Sequence, residues 1–132
     1  MQKFALLTSA IALATAMPAM AQTTFDRLAT FATPDNMAEG EDRSRPTSAE
    51  IISASEDGNT LVYSDSPLGV LGFVDITDPA APVPLGNVAM DGEPTTAVII
   101  GDRVFVGVDT STSFTEPSGQ LRVLDLETHE VL

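Results

Sequence analysis

The sequence predicts an all-β chain, a partial β-propeller of about two antiparallel blades preceded by a signal peptide. Three observations lead there. Nine prolines and nine glycines cut the 132 residues into short pieces, and no stretch beyond Gln22 keeps apolar residues at helical three-and-four spacing. The pieces are apolar, many of them rich in β-branched residues, and bounded by turn formers such as Asp57-Gly58-Asn59, Ser66-Pro67, Asp78-Pro79, Asp91-Gly92 and Gly101-Asp102. The third observation is an internal repeat, set out below.

Residues 1–21 read as a signal peptide. Lys3 supplies the positive start, Phe4 to Ala16 is an apolar run, and Pro18 precedes the small-residue site Ala19-Met20-Ala21. The run is shorter than the ~20 apolar residues of a membrane span. Cleavage before Gln22 predicts an exported protein, periplasmic or secreted, with no membrane attachment afterwards. Residues 22–45 follow as an N-terminal strand (Thr24–Thr33) and an acidic loop carrying Glu39, Glu41 and Asp42. Strands are then expected at Ala49–Ala54, Thr60–Ser64, Val70–Ile76, Val83–Ala89, Thr96–Ile100, Arg103–Val108 and Gln120–Leu126, with another opening at Val131.

The repeat joins these strands into two units, 46–93 and 94–132. Pro46-Thr47-Ser48-Ala49-Glu50-Ile51-Ile52 returns as Pro94-Thr95-Thr96-Ala97-Val98-Ile99-Ile100. Gly58-Asn59-Thr60-Leu61-Val62-Tyr63 returns as Gly101-Asp102-Arg103-Val104-Phe105-Val106, and Phe73-Val74-Asp75-Ile76 as Val123-Leu124-Asp125-Leu126. Length differences fall only at turns. Repeats of about 40–50 residues with three or four short strands are propeller blades. Two blades leave most of a ring absent and expose sheet edges. The expectation is therefore an N-terminal piece of a longer protein, with the remaining blades of the same protein as partners and residues 24–33 pairing with the last of them.

Composition narrows the function. The net charge is −13, and the only lysine, Lys3, lies in the leader. Such a surface repels phosphate backbones and anionic lipid, which excludes nucleic acid as a partner. The absence of cysteine excludes disulfide scaffolding, thiolate metal sites and thiol catalysis.

Gly72-Phe73-Val74-Asp75-Ile76-Thr77-Asp78-Pro79-Ala80-Ala81-Pro82-Val83-Pro84-Leu85-Gly86 resembles the LVIVD-type propeller repeat. Its prolines force an extended exit from the Asp78-Pro79 turn. Over the longer span Ser48–Gly69 and Asp91–Thr95, the chain resembles the start of bacterial exported proteins of the "esterase-like activity of phytase" family, some labelled alkaline phosphatases. The resemblance implies a longer propeller that hydrolyses phosphoesters or esters, with a phosphorylated or ester small molecule as substrate. No catalytic motif of that family maps onto these positions.

Acidic residues at strand ends and turns are the candidates for chemistry: Asp65, Asp75, Asp78, Asp91, Glu93, Asp109 and Asp125. Carboxylates gathered at one end of a propeller can hold Ca²⁺, which offsets phosphate charge and lowers the pKa of bound water. Asp65 and Asp109 each end the second strand of a repeat and form the best candidate metal pair. The same acids equally suit turn formation and solubility. His129-Glu130 is expected in a turn after a strand rather than on the helix of a zinc protease, whose second histidine would fall at position 133, beyond Leu132. A non-catalytic binding or surface-scaffold propeller satisfies the strands and repeats as well, and so does a truncated product without function.

Overall fold

The computed structural model describes residues 25–132; the signal-peptide expectation lies outside the described residues. Seven strands make two antiparallel sheets, joined in simple meander order. The first sheet comprises β1 (Ile52–Ala54), β2 (Thr60–Asp65), β3 (Val70–Asp75) and β4 (Val83–Ala89). The second comprises β5 (Glu93–Ile100), β6 (Arg103–Asp109) and β7 (Gly119–Asp125). Beyond β7, Val131 bridges Leu124 in antiparallel fashion. No strand joins one sheet to the other, so the assembly is not a closed barrel.

The sheets pack face to face over one apolar core. Val62, Leu71 and Phe73 come from the inner face of the first sheet, and Ala97, Ile99, Val104, Val106 and Leu124 from that of the second. Alternation follows from the strand period of two. In β6, Val104, Val106 and Val108 are buried, while Arg103, Phe105 and Gly107 between them are not. Met90 seals the core from the β4–β5 connection. Outward point Ile52, Leu61, Tyr63 and Val74 on the first sheet, and Val98, Ile100, Phe105, Leu121 and Val123 on the second.

Two of the repeat's three motifs keep their register. Thr60 pairs with Asp75 and Arg103 with Asp125, so β2–β3 and β6–β7 superpose pair for pair. The first motif does not. Tyr63 is matched by Val106, but Tyr63 pairs with Ile52 and Val106 with Ala97. Ile52 is thus the counterpart of Ala97 rather than of Ile100. The longer 55–59 turn has slid β1 by an odd number of residues, which exchanges its faces: Ile51 is exposed where Ile99 is buried. The two-residue turn of the second copy is tight, and Gly101 supplies its positive φ of 59°.

The segment expected as an N-terminal strand is none over 25–32; it carries no ladder pairing there. Residues 29–33 lie instead across the outer face of the first sheet, where Phe31 faces Tyr63 and Val74 over a cavity of about 350 Å³. Pro34 then opens a 3₁₀ turn, Thr33–Asn36. Asn36 is buried and bonds three strands at once. Its amide donates to Tyr63 Oη (3.0 Å) and to the Phe73 carbonyl (2.9 Å), and its oxygen accepts from the Gly86 amide (2.8 Å). These backbone groups are free because the β3–β4 ladder bulges at Phe73/Val74, beside a proline, Pro84, that cannot donate.

Candidate functional site

Strand direction sorts the seven acidic candidates between two opposite ends of the molecule. Asp65, Asp91, Glu93 and Asp109 lie at the end where β2 and β6 finish and β5 begins. Asp75, Asp78 and Asp125 lie at the other end, where β3 and β7 finish. At the first end Met90 N donates to the Gly69 carbonyl (3.1 Å), extending the β3–β4 ladder by one pair, and Ser66 Oγ donates to the Pro94 carbonyl (2.9 Å), which ties the two sheets. Gly92 fits there because any side chain would strike the Asp109 carbonyl and Val108.

Asp65 and Asp109 share this end but not a site. Asp65 pairs with Val70, and the superposed pair in the second sheet is Val108 with Gln120. Asp109 therefore stands one residue beyond the counterpart of Asp65, and its side chain leaves the opposite face. Asp65 is fully buried; its carboxylate accepts from the Thr47 hydroxyl and from the Leu68 amide (3.1 Å), closing the 65–69 turn. Asp109 is in solvent and accepts from the Ser111 amide (2.7 Å). The hydroxyl and amide of Ser111 hold its carboxyl below the usual range.

Three of the five remaining acids behave alike. Asp75 accepts from Thr77 N (2.8 Å), Asp78 from Ala80 N (3.0 Å) and Asp125 from Glu127 N (3.1 Å). Each is an Asx turn, a carboxylate closing on the amide two residues ahead. Asp91 pairs with Arg122 Nη2 at 3.2 Å. Asp75 and Asp125 are the true register counterparts, and hydrogen bonds hold both carboxyls low: Thr77 for Asp75, chiefly Thr128 and Glu127 for Asp125. Among the described residues, no three His, Cys, Asp or Glu side chains converge to hold a metal ion. A Ca²⁺ cage takes six to eight oxygens, and Asp65 with Asp109 does not supply the start of one.

His129 is structural here. Its ring stacks on Phe73, with centroids 3.8 Å apart and an interplanar angle of 20°. Burial pushes the imidazole below its ordinary pKa, against the opposing charge of Asp125. Tyr63, whose phenol burial pushes upward, lies flat over Gly72, where a Cβ would overlap the ring.

A feature that sequence reasoning missed is the Thr110–Ser118 loop beside Asp109. It is held by its own hydroxyls: Thr110 Oγ1 and Ser118 Oγ are 2.9 Å apart, Ser118 N donates to Ser111 Oγ (2.9 Å), and Thr112 Oγ1 donates to Glu116 (2.9 Å). Phe114 stands fully exposed at its tip. The loop and Glu93 flank a hollow of about 400 Å³. The run of serines and threonines between two strands was the available sign.

The comparisons bear on fold alone. No protein-family model matches the chain, and no curated protein matches it. Among solved structures, hydrazine synthase from Kuenenia stuttgartiensis is similar, with a TM-score of 0.51 and 16% identity. The likeness covers 64% of this chain and 22% of that one.

Proposed function

We propose that this chain is a propeller-type sheet pair of an exported, periplasmic or secreted protein of the esterase-like phytase type. In this reading the described residues build scaffold, and hydrolysis of phosphoesters or esters belongs to a larger ring. One observation carries the scaffold role: the two sheets stack in tandem, with register-equivalent residues facing inward on one and outward on the other. Tandem stacking is what a ring of sheets requires. The hydrolytic part rests on the resemblance over Ser48–Gly69 and Asp91–Thr95, and Ca²⁺ dependence on the carboxylates at strand ends and turns. A non-catalytic binding or surface-scaffold module is the second reading. The split of acids between opposite ends, six of the seven engaged in a turn or ion pair, favours it.

Assays of phytate, a simple phosphomonoester and a carboxylic ester, with and without Ca²⁺, test the proposal. The 132-residue chain is expected to be inactive, and a longer protein containing it to hydrolyse one of them in a Ca²⁺-dependent way. Turnover by the chain alone would overturn its scaffold assignment. An inert longer protein would leave the non-catalytic reading.

A further inference from the structure

The two outer faces of this molecule are apolar, and the repeat identifies what each one fits. On the first sheet, Val62, Leu71 and Phe73 press inward on the second sheet. Their register counterparts, Phe105, Leu121 and Val123, form the outer face of the second sheet. Conversely, Leu61, Tyr63 and Val74 on the outer face of the first sheet correspond to Val104, Val106 and Leu124, which press inward. The internal interface therefore joins a face of one kind to a face of the other kind. One example of each kind remains outward, that of the first sheet partly covered by residues 29–33 over Tyr63 and Val74. Both keep large apolar side chains in solvent: Leu121 is 68% and Ile100 60% exposed on one, Ile52 58% on the other.

We propose that the outer face of the second sheet docks on the outer face of the first sheet of a second copy of this chain, head to tail. The contact joins the same two kinds of face as the packing within each molecule; because residues 29–33 already cover Tyr63 and Val74, Ile52 and the adjoining cavity carry it on the first-sheet side. The cavity between residues 29–33 and Leu61, lined also by Ile52 and Ile76, receives aliphatic side chains such as Leu121. A contact between unlike faces is heterologous, so it cannot close as a two-fold dimer; it grows or closes into a ring. The inference rests on the tandem stacking and is independent of hydrolysis.

Sedimentation velocity on four samples tests it: the unaltered chain, Ile52→Asp, Leu121→Asp, and an equal mixture of the two variants. The unaltered chain should gain mass with concentration, and each variant alone should be monomeric. The mixture should show about a twofold mass, because each variant retains the face that the other lacks. Ala54→Asp and Ile100→Asp, on the same faces, repeat the test should either first variant fail to fold by circular dichroism. An unaltered chain that stays monomeric overturns the proposal. So does a mixture that stays monomeric, or a single variant that dimerises by like-on-like contact.

Discussion

Asn36 and His129 are polar residues whose work is packing. Asn36 satisfies two backbone groups freed by the β3–β4 bulge as well as the Tyr63 hydroxyl. Asn36→Ala strands those groups and should cost about 2–4 kcal/mol in urea unfolding, since each buried unsatisfied group costs about 1–3 kcal/mol. Burial disfavours the charged form of His129 in the fold, so the unfolded chain binds its proton more readily. Stability from this residue is therefore complete above its unfolded pKa, near 6.5, and is lost as pH falls below it. His129→Phe keeps the stack on Phe73 and removes the proton. Its urea midpoint should fall less than that of the unaltered chain between about pH 7 and pH 5. The carboxylates do not confuse this window. Asp75 and Asp125, held low in the fold, contribute stability that is lost only at more acidic pH. None of this was legible in the sequence. A histidine before a glutamate suggests chemistry, and only the fold puts Phe73 beneath it.

At the scale of elements, the seven strands were legible because alternation and turn residues act locally. Val104, Val106 and Val108 declare a half-buried strand without help from the rest of the chain. The register of β1 was not legible. Pro46–Ile52 and Pro94–Ile100 match letter for letter almost throughout, yet the longer turn at 55–59 sets β1 against β2 out of step. Similar residues such as Ile52 and Ile100 then lie on opposite faces of the superposed sheets. The same one-residue logic separates Asp65 from Asp109: both close a second strand, but alternation sends them to different faces. The N-terminal segment failed as a strand because Pro34 and Asn36 anchor it over a sheet face, away from any edge. The Thr110–Ser118 loop is a self-contained element, with its hydroxyls bonded to one another and Phe114 in water. Phe114→Ser should leave the unfolding free energy from urea titration within about 0.5 kcal/mol of the unaltered chain, as surface changes far from the core do. A larger loss would mean that the tip packs against something.

At the scale of the whole molecule, burial is lopsided. Each sheet covers one apolar face and leaves the other to solvent, apart from the strip under residues 29–33. Association is opposed by charge, since every copy carries a net −13 and like-charged molecules repel. Added salt screens that repulsion, with a Debye length of about 10 Å at 0.1 M and 3 Å at 1 M. Raising NaCl across that range should therefore increase the weight-average mass at fixed protein concentration. A mass that falls with salt would mean that ion pairs, rather than the apolar faces, hold copies together. Periodicity made the two-unit organisation legible, but it could not say which face meets which. That needed the pairing partners of Thr60 and Arg103.

The Asn36 latch also has a kinetic consequence. Its three partners lie 27, 37 and 50 residues away along the chain, so it can engage only after β2, β3 and β4 have assembled with their bulge. Bonds completed after the rate-limiting step weigh on escape from the native state rather than on its formation. In stopped-flow experiments, Asn36→Ala should therefore raise the unfolding rate and leave the refolding limb of the chevron nearly unmoved.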